Sequence, residues 1–179
     1  MYNVLRKTSM ELLPEIARRA TVTEFLDKSI SPEILERILE AGRLAPSAKN
    51  RQPWRIIAIR EKVRRDKIAE ACYGESVVKS APLILAVCST NVDYRMPNGQ
   101  VSYPIDLTFC ADSMIFQALH ENLDTCIFST YREEEIKEIL TVPHSMRVPL
   151  LLLMGYSAEK IKKHTERLPI SRIVSYEHW

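Results

Sequence analysis

The sequence predicts an α+β or α/β sandwich, in which helices alternate along the chain with buried strands. Short, continuous apolar runs at residues 82–87, 125–128 and 148–154 are typical of strands in a sheet that is covered on both faces. Residues 105–122 are apolar nearly all round. This pattern predicts a helix that is buried on several sides, in a core or across a subunit interface.

The remaining segments complete the alternation. Ser9 is predicted to cap a first helix that runs to Arg19, with Pro14 tolerated only in its first turns. Ser31 and Pro32 start a second helix, whose apolar spacing continues until residue 46. Further predicted elements are a buried strand at 55–59, a charged surface helix at 63–71 and a short helix at 133–140.

The composition predicts a single globular domain over residues 1–179. Hydrophobic residues make up 46% of the chain and charged residues 27%, which are ordinary values for a folded protein. The net charge of +2 is too balanced for nucleic-acid or membrane-surface binding to be the main function. No apolar run reaches the ~18 residues of a membrane span, and the N-terminus lacks the apolar core of a signal peptide. We therefore expect a cytoplasmic protein.

Familiar catalytic and metal-binding motifs are missing from the sequence. The four cysteines are far apart and lack CxxC spacing, so we expect buried free thiols: they are Cys72, Cys88, Cys110 and Cys126. The four histidines are scattered without ligand spacing, which predicts surface or packing roles and no metal site. No dinucleotide fingerprint, phosphate-binding loop or nucleophile elbow occurs.

Two polar clusters interrupt the apolar pattern. In the first, residues 18–23, two arginines and two threonines follow a helix, and a guanidinium group can bind phosphate through two parallel hydrogen bonds. The same arginines can instead serve as a cationic cap on the helix C-terminus. In the second, residues 46–54, small residues permit close backbone approach while Ser, Asn and Gln offer polar partners for a planar heterocycle. Alternatively, this segment is an ordinary turn between a helix and a strand with no binding function.

Several ordered segments resemble the nitroreductase family. The strongest match is the block at residues 45–54, Ala-Pro-Ser-Ala-Lys-Asn-Arg-Gln-Pro-Trp, and residues 21–25 and 30–36 also match the family's N-terminal signature. Further matches follow in the same order along the chain: Ala81-Pro82, Asp106, Gln117-Ala118, Thr125-Cys126-Ile127 and the segment from Pro149 to Tyr156. The resemblance spans nearly the whole chain.

The resemblance implies an α+β three-layer sandwich, with a central, mostly antiparallel sheet flanked by helices. It also implies a homodimer in which both subunits contribute to each FMN site. NAD(P)H would reduce the flavin, and a small-molecule acceptor such as a nitroaromatic compound would then be reduced in a ping-pong reaction. Because the flavin carries the chemistry, no dedicated catalytic side chain is required.

The family's cofactor-binding positions carry over residue by residue. Arg19 and Thr21 match phosphate-binding positions, with Ala20 between them, and Arg167 matches a second phosphate-binding cation. Ser129 and Thr130 match positions where the backbone approaches the reactive flavin nitrogen. The loop that reaches the isoalloxazine from the other subunit is matched by Pro46, Ser47, Ala48, Asn50 and Gln52.

The sequence departs from the family at four places. Thr23 stands where a cation near the pyrimidine edge of the flavin is usual, and Gly74-Glu75 replaces Asn-Gln. Residues 122–124 replace a Gly-Leu-Gly turn, and Phe128 stands where a Trp-Ile order is frequent. Two alternatives therefore stay open at this stage. One is reduction of flavin, quinone or enone acceptors on the same fold, and the other is a non-catalytic FMN-binding module.

Overall fold

A single four-stranded sheet forms the centre of the structure, a computed structural model that describes residues 12–157 and 166–179. The strands are β1 (Trp54–Ile59), β2 (Leu83–Ser89), β3 (Asp124–Phe128) and β4 (Arg147–Gly155), and they pair in the order β1-β2-β4-β3. Every neighbouring pair is antiparallel. The prediction of a mostly antiparallel sheet is therefore confirmed.

Six α-helices accompany the sheet in the described part of the chain: α1 (Pro14–Arg18), α2 (Pro32–Arg43), α3 (Lys62–Ala71), α4 (Ser76–Ser80), α5 (Tyr103–His120) and α6 (Glu133–Leu140). Two short 3₁₀ turns occur at Ala48–Asn50 and Ile170–Arg172. Ser31 caps α2, since its hydroxyl accepts a hydrogen bond from the Ile34 amide, and Pro32 occupies the first helical position.

Alternate side chains of β2 bury into opposite cores. Ile84, Ala86 and Cys88 pack into one core with α3, α4 and α6, whereas Leu83, Leu85 and Val87 pack into the other with α2 and α5. This division follows from the two-residue period of a strand, and it explains why the apolar run shows no polar alternation. The predicted three-layer sandwich, with helices on both faces of the sheet, is confirmed.

The two helices of one layer lie in close contact. A Cβ atom built on Gly42 of α2 would come within 2.8 Å of the Met114 side chain of α5. A larger residue at position 42 would force the Met114 side chain to move, so the glycine lets α2 lie close to α5 in the packing seen here. The contact fixes α5 beneath the segment that follows α2.

Several sequence-based predictions need correction. The first helix begins at Pro14, after Leu13 as its N-cap, because proline is suited to the first helical position. It therefore does not run from Ser9, which lies outside the described residues. The second helix ends at Arg43, before the proline that was expected to stop it. The first strand is an edge strand with three partly buried positions and only Ile59 fully buried, because a sheet neighbour covers it on one side alone.

No helix among the described residues is long and apolar enough to cross a membrane.

Candidate functional site

The segment after α1 runs along the edge of the sheet. Thr21 forms a parallel bridge with Thr125 of β3, and the side chains of Val22 and Phe25 are buried beside it. Thr21 and Thr23 alternate with these buried residues and are exposed. The hydroxyl groups of the first polar cluster therefore lie on the surface of the sheet edge.

The two arginines at the end of α1 differ in their surroundings. Arg18 donates to the Leu123 carbonyl at 2.7 Å and to the Asn122 side chain at 3.2 Å, and it lies 3.4 Å from the Asp124 carboxylate. Arg19 follows at the C-cap position, is half-buried, and forms no ion pair in the described part of the molecule. The hydrogen bonds of Arg18 therefore hold α1 against the turn between α5 and β3, whereas the Arg19 guanidinium is available to bind an anion.

Ser129 and Thr130 lie on the same edge of the sheet. They directly follow β3, are exposed, and precede Tyr131, whose hydroxyl donates to the Val148 carbonyl. Ser129 is four positions from Thr125, the bridge partner of Thr21, so the two polar segments are about 13 Å apart along the strand.

The second polar cluster forms a tightly bonded loop after α2. The Ser47 hydroxyl accepts a hydrogen bond from the Gln52 amide at 2.9 Å, and the Asn50 amide donates to the Ser47 carbonyl at 2.9 Å. Three residues of the loop have a left-handed backbone, with φ of 53° at Lys49, 54° at Asn50 and 51° at Gln52. Such conformations are uncommon for residues with a Cβ atom and concentrate at functional sites.

A buried carboxylate anchors this loop from below. Asp106, in the first turn of α5 and 2% exposed, accepts a hydrogen bond from the Ala48 amide through Oδ1 at 2.8 Å. Its Oδ2 atom is buried without a hydrogen-bond partner in residues 12–157 and 166–179. Sequence reasoning matched Asp106 to the family but assigned it no role. A sequence signal existed, because an acidic residue inside a largely apolar helix is seldom buried without a polar partner.

The structure does not bring the two clusters together within one chain. Asp106 holds the 46–52 loop near the start of α5, while His120 at its end pairs with Glu15 of α1 at 2.9 Å. These two positions are fourteen residues apart on the helix, which corresponds to about 21 Å. The strand order also separates the two clusters, because the loop precedes β1 at one edge of the sheet and Thr21 lies beside β3 at the other edge.

The remaining predicted residues are placed as follows. Arg167 lies in the exposed segment 166–179 and donates to the Glu166 carbonyl at 3.2 Å. Gly74, one of the departures, has φ of 76°, which favours glycine. Asn122 replaces a family glycine with φ of 61°, a conformation that asparagine tolerates better than most residues.

The cysteine prediction agrees with the structure, and His120, His144 and His178 lie on the surface as expected, whereas His164 lies outside the described residues. All four cysteines are free and buried, and burial raises the pKa of Cys72 to about 12 and the pKa of both Cys88 and Cys110 to about 11. His120 and His144 are exposed and each pairs with a glutamate. Within the described ranges no group of His, Cys, Asp or Glu side chains is arranged to hold a metal ion.

Comparisons with known proteins agree with this architecture. Residues 16–98 match the sequence model described as the nitroreductase family. The crystal structure of a nitroreductase family protein from Clostridium difficile 630 superposes with a TM-score of 0.85 at 30% identity, covering 95% of this chain and 100% of that one. An NADH dehydrogenase from Thermus thermophilus is 25% identical, with 88% of this chain and 91% of the relative covered. An FMN reductase [NAD(P)H] from Bacillus subtilis is 29% identical over 44% of this chain and 32% of its own length.

Proposed function

The chain belongs to the nitroreductase family, and on this premise we propose that it is an FMN-dependent oxidoreductase that uses NAD(P)H to reduce nitroaromatic compounds or similar small acceptors. Relatives with similar sequences are named for FMN and for NADH or NAD(P)H, which supports both the cofactor and the reductant. When bound, FMN supplies the redox chemistry, first accepting electrons from the reductant and then delivering them to the acceptor.

The first polar cluster suits the phosphate end of FMN. Arg19 is half-buried and has no carboxylate partner among the described residues, so its charge is available for a phosphate. The exposed hydroxyl of Thr21 lies two positions away and adds a hydrogen-bond donor. Arg167 is proposed to contribute a second positive charge to this phosphate.

The second polar cluster suits the ring system. Asn50 and Gln52 are exposed, and the Gln52 amide donates to Asn50 Oδ1 at 3.2 Å, so each amide side chain restricts the other. We assign Pro46, Ser47 and Ala48 to the same surface because small residues let backbone approach a planar ring. With FMN bound, fixed amide donors around the ring would stabilise negative charge on the reduced flavin without any dedicated acid or base.

The separation between the clusters is the single observation that carries the proposed site. Asp106, which holds the 46–52 loop, and His120, which pairs with the helix α1 that ends before Arg19, are about 21 Å apart along α5, yet Arg19 and the loop are assigned to one cofactor. Two copies of the chain can form one FMN site if the loop of one subunit lies next to the Arg19 cluster of the other. The proposed enzyme is therefore a homodimer with two flavin sites at its interface.

Exposed apolar side chains support the same assembly. Ile105 and Phe109 lie one helical turn apart on α5 and are 37% and 48% exposed, although the rest of that helix is largely buried. Leu13 of the α1 segment and the C-terminal segment expose further apolar side chains, among them Leu168, Ile170, Ile173 and Trp179. Surfaces of this kind mark protein interfaces.

We also propose a cytoplasmic location. The enzyme needs NAD(P)H, and all four of its cysteines are free, as is usual in a reducing compartment.

Spectroscopy of the purified protein tests the function directly. We expect a yellow protein whose pigment, released by denaturation, elutes as FMN and not as FAD. Anaerobic mixing with NADH or NADPH should bleach the flavin absorbance, and addition of a nitroarene or a quinone should restore it. A protein that neither contains FMN nor takes it up in titration would contradict the proposal. If the bound flavin stays oxidised with both reductants, the protein is a non-catalytic FMN-binding module and not an enzyme.

A further inference from the structure

Two cations project from the loop that carries Asn50 and Gln52. Lys49 and Arg51 flank Asn50 in sequence, and both side chains are exposed. The guanidinium carbon of Arg51 lies 4.0 Å from the centre of the Tyr94 ring, and the Lys49 ammonium lies 6.0 Å from the same centre. Tyr94 belongs to the connection between β2 and α5, so the contact joins two segments that are distant in sequence.

Lys49 and Arg51 lack the carboxylate partners that several other basic side chains of the described surface have. Arg37, Arg43 and Arg147 each form a two-pronged contact with a glutamate, and Lys62 pairs with Asp66. Lys49 and Arg51 form no ion pair with any carboxylate in the described residues. The buried Asp106 carboxylate accepts from the Ala48 amide through Oδ1 and forms no ion pair with either cation.

The backbone holds both charges in place. Lys49 has a left-handed conformation, and the bonds from Ser47 to Gln52 and from Asp106 to Ala48 prevent the loop from relaxing. Two like charges beside one ring repel each other, and exposed loops normally separate such groups. A fixed pair of unneutralised cations is the arrangement expected where an anion binds.

We propose that Lys49, Arg51 and Tyr94 form a phosphate-binding subsite for the reduced nicotinamide dinucleotide. The inference rests on the proposed function, in which Asn50 and Gln52 of the same loop face the flavin ring that the nicotinamide must approach. Arg51 offers the planar fork that binds a phosphate through two hydrogen bonds, and Lys49 adds a compact charge. Tyr94 supports the Arg51 guanidinium from one face and leaves its edges to the ligand.

Both dinucleotides carry a pyrophosphate, but only NADPH carries a 2′-phosphate. A subsite for the pyrophosphate would serve both reductants, whereas a subsite for the 2′-phosphate would favour NADPH. Reduction by N-benzyl-dihydronicotinamide, which has no phosphate, reports on the flavin alone. The three reductants together therefore identify the phosphate that is bound.

The experiment uses the full-length, FMN-loaded protein in anaerobic stopped-flow reduction. The variants are Lys49→Ala, Arg51→Ala and the double substitution. Lys67→Ala is the control, since it removes an exposed charge of α3 that forms no ion pair within residues 12–157 and 166–179. We expect the apparent dissociation constant for at least one dinucleotide to rise about tenfold per substitution, the equivalent of about 1.4 kcal/mol. The limiting rate, and all rates with N-benzyl-dihydronicotinamide, should stay at the values of the unmodified protein.

Weakened binding of NADPH alone assigns the 2′-phosphate, and equal weakening for both dinucleotides assigns the pyrophosphate. The inference is overturned if both dissociation constants are unchanged, or if the phosphate-free reductant slows by the same factor. If the unmodified protein is reduced by neither dinucleotide, the proposed function itself fails and the subsite fails with it.

Discussion

Asp106 and Ala48 are 58 residues apart in sequence, yet Asp106 Oδ1 accepts a hydrogen bond of 2.8 Å from the Ala48 amide. The carboxylate is 2% exposed, so it acts from inside the protein on a loop at the surface. A buried polar group of this kind is stable only when it is bonded, and its bond fixes the loop in the conformation seen here. Helix α5 therefore positions the segment that we assign to the flavin ring.

Substitution of Asp106 should loosen this loop. We expect Asp106→Ala to lower the free energy of unfolding by about 1–3 kcal/mol, because it leaves the Ala48 donor without its acceptor. FMN affinity should fall as well, since the loop must then be ordered on binding. Urea denaturation and FMN titration measure the two effects, with Asp106→Asn as the control that keeps an acceptor oxygen. If the alanine variant has the same FMN affinity and the same free energy of unfolding as the unmodified protein, Asp106 does not hold the loop.

The two arginines at the end of α1 should have separable roles. Arg19→Ala should weaken FMN binding by about 1.5–3 kcal/mol, the value of a hydrogen bond to a charged group. Arg18→Ala should mainly lower stability, since Arg18 bonds the Leu123 carbonyl at 2.7 Å. Calorimetric titration with FMN and thermal unfolding of both variants test this. If Arg18→Ala loses FMN while Arg19→Ala keeps it, the assignment of the phosphate site is reversed.

Much of the fold was predictable because its signals are local. The short helix expected at 133–140 is α6, Glu133–Leu140, and all but the first residue of the apolar run at 82–87 lies in the buried central strand β2, Leu83–Ser89. Helix α4 was not predicted, since five residues are too few to show a helical period.

The arrangement of the site was less predictable. The polar loop and its candidate ligand-binding residues were recognised, but the contact of Arg51 with Tyr94 joins positions 43 residues apart. The Asp106 anchor depends on a tertiary contact in the same way. No sequence pattern reports such pairs, because they form only when the β2–α5 connection and α5 pack against the loop.

The proposed dimer predicts that one exposed side chain of α5 controls both assembly and cofactor binding. Phe109→Glu would place a charge in an apolar interface, and obligate interfaces bury upwards of ~2,000 Å². We expect this variant to be monomeric by light scattering and to lose FMN. Val63→Glu, at a more exposed apolar position on α3, is the control and should remain dimeric with FMN bound. A monomeric Phe109→Glu that retains FMN would contradict a flavin site shared between subunits.

The cysteines should be inert in the folded protein. Burial raises the pKa of all four thiols, to about 12 for Cys72 and about 11 for Cys88 and Cys110, so they stay protonated at neutral and mildly alkaline pH. Only the thiolate reacts with alkylating agents. Iodoacetamide at about pH 8 should therefore leave activity unchanged, whereas urea should make all four thiols reactive in a mass-spectrometric count. Rapid inactivation of the native protein would mean that a thiol lies at the flavin site.

The last prediction concerns Thr23, where the family usually places a cation near the flavin. A positive charge there stabilises the anionic reduced flavin by Coulomb attraction, and a neutral threonine does not supply it. Thr23 is exposed, so a longer side chain fits without disturbing the buried Val22 beside it. Arg18 does not compensate, because its guanidinium is held by the Leu123 carbonyl and the Asp124 carboxylate. Thr23→Arg should therefore raise the two-electron potential, by about 30 mV for each ~1.4 kcal/mol of added stabilisation.

Spectroelectrochemical titration at one pH, with FMN saturation confirmed beforehand, measures the change in potential. Thr23→Gln serves as the matched control, since it adds length and polarity without charge and should leave the potential near that of the unmodified protein. A rise in both variants would point to packing instead of charge. An unchanged or lowered potential in Thr23→Arg would mean that residue 23 does not face the flavin, or that the missing charge is already supplied elsewhere.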